Sequence, residues 1–340
     1  MKKVLMIYTG GTIGMVQNTA TGALESFHFE HLLRQVPELK QVHVDVNTYT
    51  FDPPVDSSSI VPEHWSRMAR LVADNYTRYD GFVILHGTDT MAYTASALSF
   101  ILDGLAKPVV LTGSQLPIGM LRTDGKENLV TAIEIAAATR PDGLPMVPEV
   151  CIFFHDTLLR GNRATKSSSD HFNAFQSFNY PALATAAVDI RYHSSLIRDC
   201  YPDEPLVVHE KLDSNLMVVS LFPGMREDIL RTMLSADGLK GVVLRTFGAG
   251  NAPQEPWLIG LLKDATERGI VIVNITQCAG GSVAMNRYET GLQLMQAGVV
   301  SGGDSTVEAA LTKMMVLFGR GLSSAEVKKK MTVSLCGEIG

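Results

Sequence analysis

The sequence predicts an α/β protein of two domains: a larger N-terminal domain with a mostly parallel sheet flanked by helices, and a smaller C-terminal α/β domain. Apolar runs of strand length alternate with segments of helical periodicity along most of the 340 residues, which is typical of βαβ units. This periodicity fades between about 160 and 215, and a second series follows. We therefore expect an N-terminal domain over 1–195, a linker over 196–212 and a C-terminal domain over 213–340.

The first series begins with an apolar run and a glycine-rich turn. Residues 4–8 predict a buried strand, which ends at the turn Thr9-Gly10-Gly11-Thr12. The polar stretch over 17–22 predicts a loop, and its place after a glycine-rich turn suggests a mobile flap. Residues 42–50 alternate with period two and predict another strand.

Pro62 is expected to open a helix over 63–78, because a proline in the first turn loses no hydrogen bond. The first domain then continues with strand 82–85, helix 92–103, strand 109–112, helix 126–138 and strand 150–154. Residues 161–181 are rich in Ser, Asn and Phe and predict a loop-rich region. The second series comprises strand 216–222, helix 226–236, strand 241–246, helix 255–267, strand 270–275 and helices 288–297, 305–318 and 323–331.

The composition argues against several classes of partner. The chain carries a net charge of −6 and has no cluster of Lys and Arg, which argues against nucleic acid and anionic membranes. No apolar run reaches about 18 residues, so we expect no membrane span. The apolar run after Met1-Lys2-Lys3 is too short for a signal peptide, and we expect a cytoplasmic protein.

The cysteines and histidines predict neither disulfides nor a metal site. The four cysteines are widely spaced, with no Cys-x-x-Cys pair, which fits a reducing compartment. Cys151 and Cys278 lie in or beside apolar runs, and we expect both to be buried thiols. His86, His155 and His171 lie near motifs without ligand spacing, and His86 is expected to be structural. We predict no metal and no cofactor.

Two loops carry threonines just past predicted strands. Thr12 closes the turn after strand 4–8, and Thr88, Asp89 and Thr90 follow strand 82–85. Open parallel sheets bind ligands at the carboxyl ends of their strands, so these groups could form a nucleophilic site. The alternative is structural, with Thr12 as a helix cap and either Asp89 or Thr90 starting helix 92–103. Neither loop matches a phosphate-binding or dinucleotide-binding fingerprint.

A threonine hydroxyl is a weak nucleophile and needs a base within hydrogen-bond reach. Lys166, in the run RGNRATK that follows strand 150–154, is a candidate proton partner if its surroundings keep it neutral for part of the cycle. The alternative is a solvated loop lysine, which the sequence alone favours. The turn Asp56-Ser57-Ser58-Ser59 is either a simple polar turn or a turn that presents N–H groups and hydroxyls to a carboxylate.

These motifs resemble the paired signatures of bacterial L-asparaginases, and the whole chain is similar to the cytoplasmic type I group of that family. The similar segments occur in the family's order: TGGTI (9–13), DGFVILHGTDTMAYTASALSF (80–100), RGNRATK (160–166), GNAP (250–253), NITQC (274–278) and SGGDSTVEAALTK (301–313). The resemblance implies that the first domain is catalytic and hydrolyses the side-chain amide of L-asparagine to L-aspartate and ammonia.

The resemblance also implies roles for single residues. Thr12 would be the nucleophile that forms a β-acyl-enzyme, and Thr88, Asp89 and Lys166 would form a second cluster that activates a hydroxyl or water. The turn Asp56-Ser57-Ser58 would hold the substrate's α-carboxylate through its two serines, with Asp89 near the α-amino group. The resemblance does not say which threonine attacks first.

One feature departs from the family pattern. In the family, a tyrosine on the loop after the first motif closes over the substrate and assists the nucleophile. Here Ala23 falls at the expected position, and no tyrosine occurs between Tyr8 and Tyr49. This departure affects the expected rate and loop closure more than the reaction type.

The type I group is also known for a second, regulatory asparagine site and for homotetramers built from dimers. By resemblance the regulatory site would use Thr165, Arg245, Asn251, Thr276 and Cys278, whose alternative reading is turn chemistry and a buried thiol. Such a site requires different affinities for two states of the protein. It predicts sigmoidal kinetics.

Other functions compete with this interpretation. One is a non-catalytic amino-acid sensor on the same scaffold, favoured by Ala23 and the second site. Another is the related amidotransferase subunit that acts on charged tRNA, against which we weigh the acidic charge balance and the early position of the first motif. Glutaminase side activity also stays open, because one methylene in a pocket changes binding by only about 1–3 kcal/mol.

Overall fold

The computed structural model describes residues 1–17, 24–26 and 36–340. The chain forms two compact units, 1–208 and 209–340, each with its own main sheet and helices, which confirms the predicted two-domain α/β class. The linker over 196–212 stays a prediction. Ala23 and the predicted flap after Gln17 lie outside the described residues.

The first unit is built on a large mixed sheet. The described strands, in chain order, are β1 (Lys2–Tyr8), β2 (Met15–Gln17), β3 (Leu24–Ser26), β4 (Val44–Thr50), β5 (Gly81–Leu85), β6 (Leu102–Asp103), β7 (Val109–Thr112), β8 (Val150–Phe154), β9 (Thr157–Arg160), β10 (Thr165–Lys166), β11 (Phe175–Gln176), β12 (Ala184–Ala186), β13 (Ile190–Tyr192) and β14 (Val207–Val208). The α-helices are α1 (Pro62–Asp74), α2 (Met91–Ile101) and α3 (Gly125–Ala137).

Eight of these strands form one sheet in the order β13-β12-β9-β8-β7-β5-β1-β4. Strands β4, β1, β5, β7 and β8 are parallel, whereas β9, β12 and β13 are antiparallel to their neighbours. After β1 the chain continues to β4 on one side, and after β5 it continues to β7 on the other. The adjacent strands β1 and β5 therefore flank a topological switch point, where ligands bind in open α/β sheets.

Register and burial fix this edge of the sheet. Tyr8 of β1 lies opposite Leu85 of β5, so the two strands end at the same level. Strands β5, β7 and β8 are buried along their whole length, as expected for parallel strands that helices cover. Helices α2 and α3 pack against them.

Several boundaries differ from those predicted. Helix α1 ends at Asp74 rather than at 78, because the Asn75 side chain donates to the carbonyl of Leu71 and the chain turns there. Residues 161–181 are not loop alone, since they include β10 and β11. Strands of two residues are too short to show periodicity.

The second unit has a parallel sheet in the order β15-β16-β17-β18, formed by β15 (Leu216–Ser220), β16 (Gly241–Thr246), β17 (Val271–Thr276) and β18 (Val300–Ser301). Its helices are α4 (Glu227–Leu234), α5 (Pro256–Glu267), α6 (Glu289–Gln296), α7 (Val307–Gly319) and α8 (Ser324–Met331). The buried Lys313 side chain pairs with buried Glu338 at 2.6 Å, which anchors the chain's last residues to α7. No helix in the described ranges is long and apolar enough to cross a membrane.

Candidate active site

The turn after β1 and the loop after β5 touch each other through two glycines. Gly11 has a φ of +93°, and a Cβ added to it would lie 2.5 Å from both the Cα and the N of Gly87. A Cβ on Gly87 would in turn lie 2.4 Å from the Oγ of Ser57. The three loops that carry Thr12, Thr88 and Ser57 therefore meet at a junction with no room for extra side chains.

Hydrogen bonds hold this junction together. Both the backbone N–H and the hydroxyl of Thr9 donate to the carbonyl of Leu85, at 3.0 and 2.9 Å. The N–H of Val55 donates to the carbonyl of Thr9 at 2.7 Å. The hydroxyl of Thr90 donates to the carbonyl of Ser57 at 2.6 Å. Each of the three loops is thereby bonded to another.

The capping alternative for these loops is not what the structure shows. Thr90 precedes α2 at the cap position, but its side chain makes no cap bond and is engaged with Ser57 instead. Thr12 is the first residue of a short 3₁₀ turn, Thr12–Gly14, for which Gly11 occupies the cap position. Thr12 itself is half-buried.

The turn that contains Ser57 and Ser58 presents polar groups next to the junction. One carboxylate oxygen of Asp56 accepts from both the N–H and the hydroxyl of Ser58, each at 2.8 Å. These bonds lower the pKa of Asp56, so it is an anion at neutral pH. Ser57 is buried against Gly87, whereas Ser58 and Asp56 are exposed.

Lys166 lies beside the second loop, although 78 residues separate it from Thr88. Its ammonium group donates to the hydroxyl of Thr88 at 2.9 Å and to the carboxylate of Asp89 at 2.7 Å. Its side chain is 20% exposed, and that of Asp89 is 62% exposed. The reading of Lys166 as a solvated loop lysine is therefore wrong: the hairpin of β10 and β11 brings its amine to the threonine.

His86 opens the second loop but has a structural place. Its Nδ1 must donate to the carbonyl of Gly87 at 2.7 Å, so its Nε2 accepts from the hydroxyl of Thr94 at 3.0 Å. Thr94 also accepts from the indole N–H of Trp65 at 2.9 Å. Burial lowers the pKa of His86 to about 4. The imidazole is thus neutral at pH 7 and has no free nitrogen.

Gln115 is a residue of this site that the sequence analysis missed. It follows β7, the neighbour of β5, and its amide oxygen accepts from the hydroxyl of Thr88 at 3.3 Å. Its amide nitrogen donates to the carbonyl of His171 at 3.0 Å. A signal was available, because Gln115 lies shortly after the carboxyl end of a third parallel strand. An amide is neither a nucleophile nor a base, so its residue type gives no chemical signal of its own.

The residues assigned by resemblance to a regulatory site are divided between the units. Thr165 precedes Lys166 in β10. In the second unit Thr246 lies opposite Thr276 in register, next to Arg245, whose Nε is buried without a hydrogen-bond partner. The side chain of Asn251 accepts from the hydroxyl of Thr290 at 3.0 Å.

The two cysteines expected to be buried differ. Cys151 is fully buried in β8, as predicted. Cys278 is exposed, so that prediction was wrong. The reason is local, since β17 ends at Thr276 and the Thr276 hydroxyl accepts from the N–H of Cys278 in the turn that follows. Within the described ranges no three His, Cys, Asp or Glu side chains are grouped as metal ligands.

Two family models match the chain, and together they cover most of it. The model described as "Asparaginase, N-terminal" matches residues 3–198. The model described as "Glutaminase/Asparaginase C-terminal domain" matches residues 215–331.

Individual relatives are similar to this chain over almost its whole length. L-asparaginase 1 of Escherichia coli (strain K12) is 42% identical to this chain, with 99% of the chain and 98% of that protein covered. The crystal structure of L-asparaginase I from Vibrio cholerae superposes with a TM-score of 0.91 at 42% identity and covers 100% and 99% of the two chains. The 60 kDa lysophospholipase of Mus musculus is 40% identical over 99% of this chain, which spans 62% of that longer protein.

The glycine junction predicts unequal effects of two alanine substitutions in the first unit. Gly11 and Gly143 have similar φ values, +93° and +87°, but a Cβ on Gly143 meets no atom within 4 Å. Gly143→Ala should therefore cost only the backbone term, about 1–2 kcal/mol. Gly11→Ala should lower the free energy of unfolding by about 1–3 kcal/mol more than Gly143→Ala does, because the backbone of Gly87 must move to admit the methyl group. Urea unfolding of both variants measures these free energies. Equal losses of stability in the two variants would show that the two loops do not touch.

The buried imidazole predicts a pH-dependent stability. Below pH 6.5 the unfolded state binds a proton on His86 that the folded state refuses until about pH 4. His86 therefore contributes fully above pH 6.5, and the protein loses up to about 3 kcal/mol of stability as the pH falls to 4. The difference in the free energy of unfolding between the wild type and His86→Gln should therefore change by up to about 3 kcal/mol between pH 6.5 and pH 4, because only the wild type loses stability through this histidine. A constant difference between the two would contradict a neutral buried His86.

Proposed function

The chain belongs to the asparaginase family, and we propose that it hydrolyses the side-chain amide of L-asparagine to L-aspartate and ammonia. The observation that carries this proposal is the cluster in which Lys166 donates to both Thr88 and Asp89, beside the glycine junction that brings the loop of Thr12 alongside. Amide hydrolysis needs a nucleophile, a proton partner and donors for the developing oxyanion. The described loops carry a candidate for each of the three.

The first half of the proposed reaction forms an acyl-enzyme. The oxygen of Thr12 attacks the amide carbon of asparagine, and its proton passes to a base. The tetrahedral oxyanion is stabilised by backbone N–H groups of the two Gly-Thr turns, which the fixed junction keeps preorganised. The C–N bond then breaks as the base gives the proton it took from Thr12 to the nitrogen. Ammonia leaves, and a β-aspartyl ester stays on Thr12.

The second half returns the free enzyme. A water molecule attacks the ester, and its proton passes through the Thr88 hydroxyl to Lys166 in its neutral amine form. The bond to Thr12 then breaks, and that proton returns to the Thr12 oxygen. Lys166 suits this step because its amine already contacts the threonine and because it is screened from most of the solvent.

The charged groups of the substrate have matching partners. We assign the α-carboxylate to the turn of Ser57 and Ser58, where Asp56 holds the backbone in shape. We assign the α-ammonium to Asp89, whose carboxylate is bonded to Lys166 but remains largely open. Orientation through these fixed charges accounts for a large part of the expected rate enhancement. The preference between asparagine and glutamine depends on the distance between these α-group partners and the reacting threonine.

The proposal includes regulation and assembly. We assign an activating response to asparagine to Arg245, Asn251, Thr276 and Cys278 of the second unit and to Thr165 of the first. We also propose a cytoplasmic homotetramer formed as a dimer of dimers, which the molar mass from light scattering would check. Both assignments rest on the type I resemblance.

Substitutions in the cluster should abolish turnover. Thr12→Ala, Thr88→Ala and Lys166→Met should each lower kcat for ammonia release from asparagine by at least about 10³-fold, because each removes a group that reacts or exchanges a proton. Lys329→Met, at an exposed lysine of α8, should stay within twofold of the wild type. Parallel assays with glutamine give the substrate preference. A wild type that releases no more ammonia than Thr12→Ala would instead favour the sensor function.

Regulation predicts a change in the shape of the velocity curve. The wild type should respond sigmoidally to asparagine, because a regulatory ligand must bind one of two states more tightly. Thr165→Ala and Cys278→Ala should make the response hyperbolic, while Cys200→Ala should keep it sigmoidal. A hyperbolic wild type would eliminate the regulatory assignment and leave the catalytic one intact.

A further inference from the structure

The hydrogen bonds around Gln115 have only one consistent direction. The carbonyl of His171 can only accept, so the Gln115 group 3.0 Å from it is the amide NH₂. The amide oxygen therefore faces Thr88, and the Thr88 hydroxyl must donate its proton to that oxygen. Lys166 in turn donates to the lone pairs of Thr88. The chain of donors runs from Lys166 through Thr88 and Gln115 to His171.

The backbone of Gln115 is held independently of this chain. Its N–H donates to the carboxylate of Asp124, at 3.1 and 3.0 Å to the two oxygens, and the N–H of Leu116 donates to the same carboxylate. Asp124 also accepts from the side chain of Asn128. With its backbone fixed and its amide bonded at both ends, Gln115 presents its oxygen to Thr88 in one orientation.

From this geometry we infer that Gln115 is a positioning residue, which aims the Thr88 hydroxyl by accepting its proton and ties Thr88 to the hairpin that carries Lys166. The second bond matters because His171 lies in the turn between β10 and β11, so Gln115 fixes both members of the Thr88–Lys166 contact. The functional consequence rests on the proposed hydrolysis.

The inference has a mechanistic consequence for Thr88. While Gln115 accepts the Thr88 proton, the Thr88 oxygen keeps its lone pairs towards Lys166, and no proton can pass from Thr88 to the lysine. Transfer in that direction requires the hydroxyl to rotate away from Gln115. Gln115 therefore fixes the orientation of the Thr88 hydroxyl before a proton moves along this pair.

Two substitutions at the same position separate the parts of this role. Gln115→Met keeps the approximate volume and removes both bonds, and it should lower kcat about 3- to 10-fold, the equivalent of one hydrogen bond. Its KM should change less than twofold, because the α-groups of the substrate bind elsewhere. Gln115→Glu keeps an oxygen for Thr88 but loses the donor to His171, and its kcat should lie between those of the wild type and Gln115→Met.

The control is Gln176→Met, the same change at an exposed glutamine of β11 in the Lys166 hairpin, which should leave kcat unchanged. Melting temperatures within about 2 °C of the wild type would show that the fold is retained. A Gln115→Met enzyme with wild-type kcat, or a Gln115→Glu enzyme no better than Gln115→Met, would overturn the inference.

A second measurement needs no turnover and so keeps the inference separate from the proposed function. Neutron diffraction of the deuterated wild type should show the Thr88 deuteron directed at the amide oxygen of Gln115. A deuteron directed at Lys166 would overturn the inference even in an active enzyme. Absence of ammonia release with the expected deuteron would overturn the proposed function alone.

Discussion

The close contact between Gly11 and Gly87 is the constraint on which the rest of the site depends. The switch point between β1 and β5 places two loops side by side, but only the lack of side chains lets their backbones touch. Ser57 then packs against Gly87 at a distance that leaves no space for a methyl group. Hydrogen bonds donated by Thr9 and Thr90 also link the same three loops. For the proposed hydrolysis, groups carried by such a junction need little reorganisation when the substrate binds.

The fold could be predicted largely from the sequence, because β1, β5, β7 and β8 are continuous apolar runs with helical periods between them. The failures have local causes. The strands between 157 and 192 are two to four residues long and antiparallel, so neither their length nor their pattern is distinctive. Cys278 follows an apolar run, yet the strand ends two residues before it, and side-chain burial changes at that boundary.

The site could be predicted only in part, and the division follows sequence distance. Thr12, Thr88 and Asp89 are located by the strands that precede them, because strand ends in a parallel sheet share one edge. Lys166 comes from an irregular segment, and no local pattern indicates that its amine reaches Thr88. Gln115 does follow a strand, but an amide side chain is not a reactive group, so its residue type does not indicate a functional site. Its importance becomes visible only through the direction of its hydrogen bonds.

The same directions decide which group can exchange protons in the second loop. His86 is adjacent to Gly87, and an imidazole is often the base in such a place. Here Nδ1 donates to a carbonyl and Nε2 accepts from Thr94, and burial holds the pKa at about 4, so the ring has neither a free nitrogen nor a charge to give. Lys166 is partly exposed, and its amine contacts both the Thr88 hydroxyl and the Asp89 carboxylate. These contacts favour Lys166 over His86 as the proposed proton partner of Thr88, while the hydrogen bonds of the histidine hold the loop that carries the threonine.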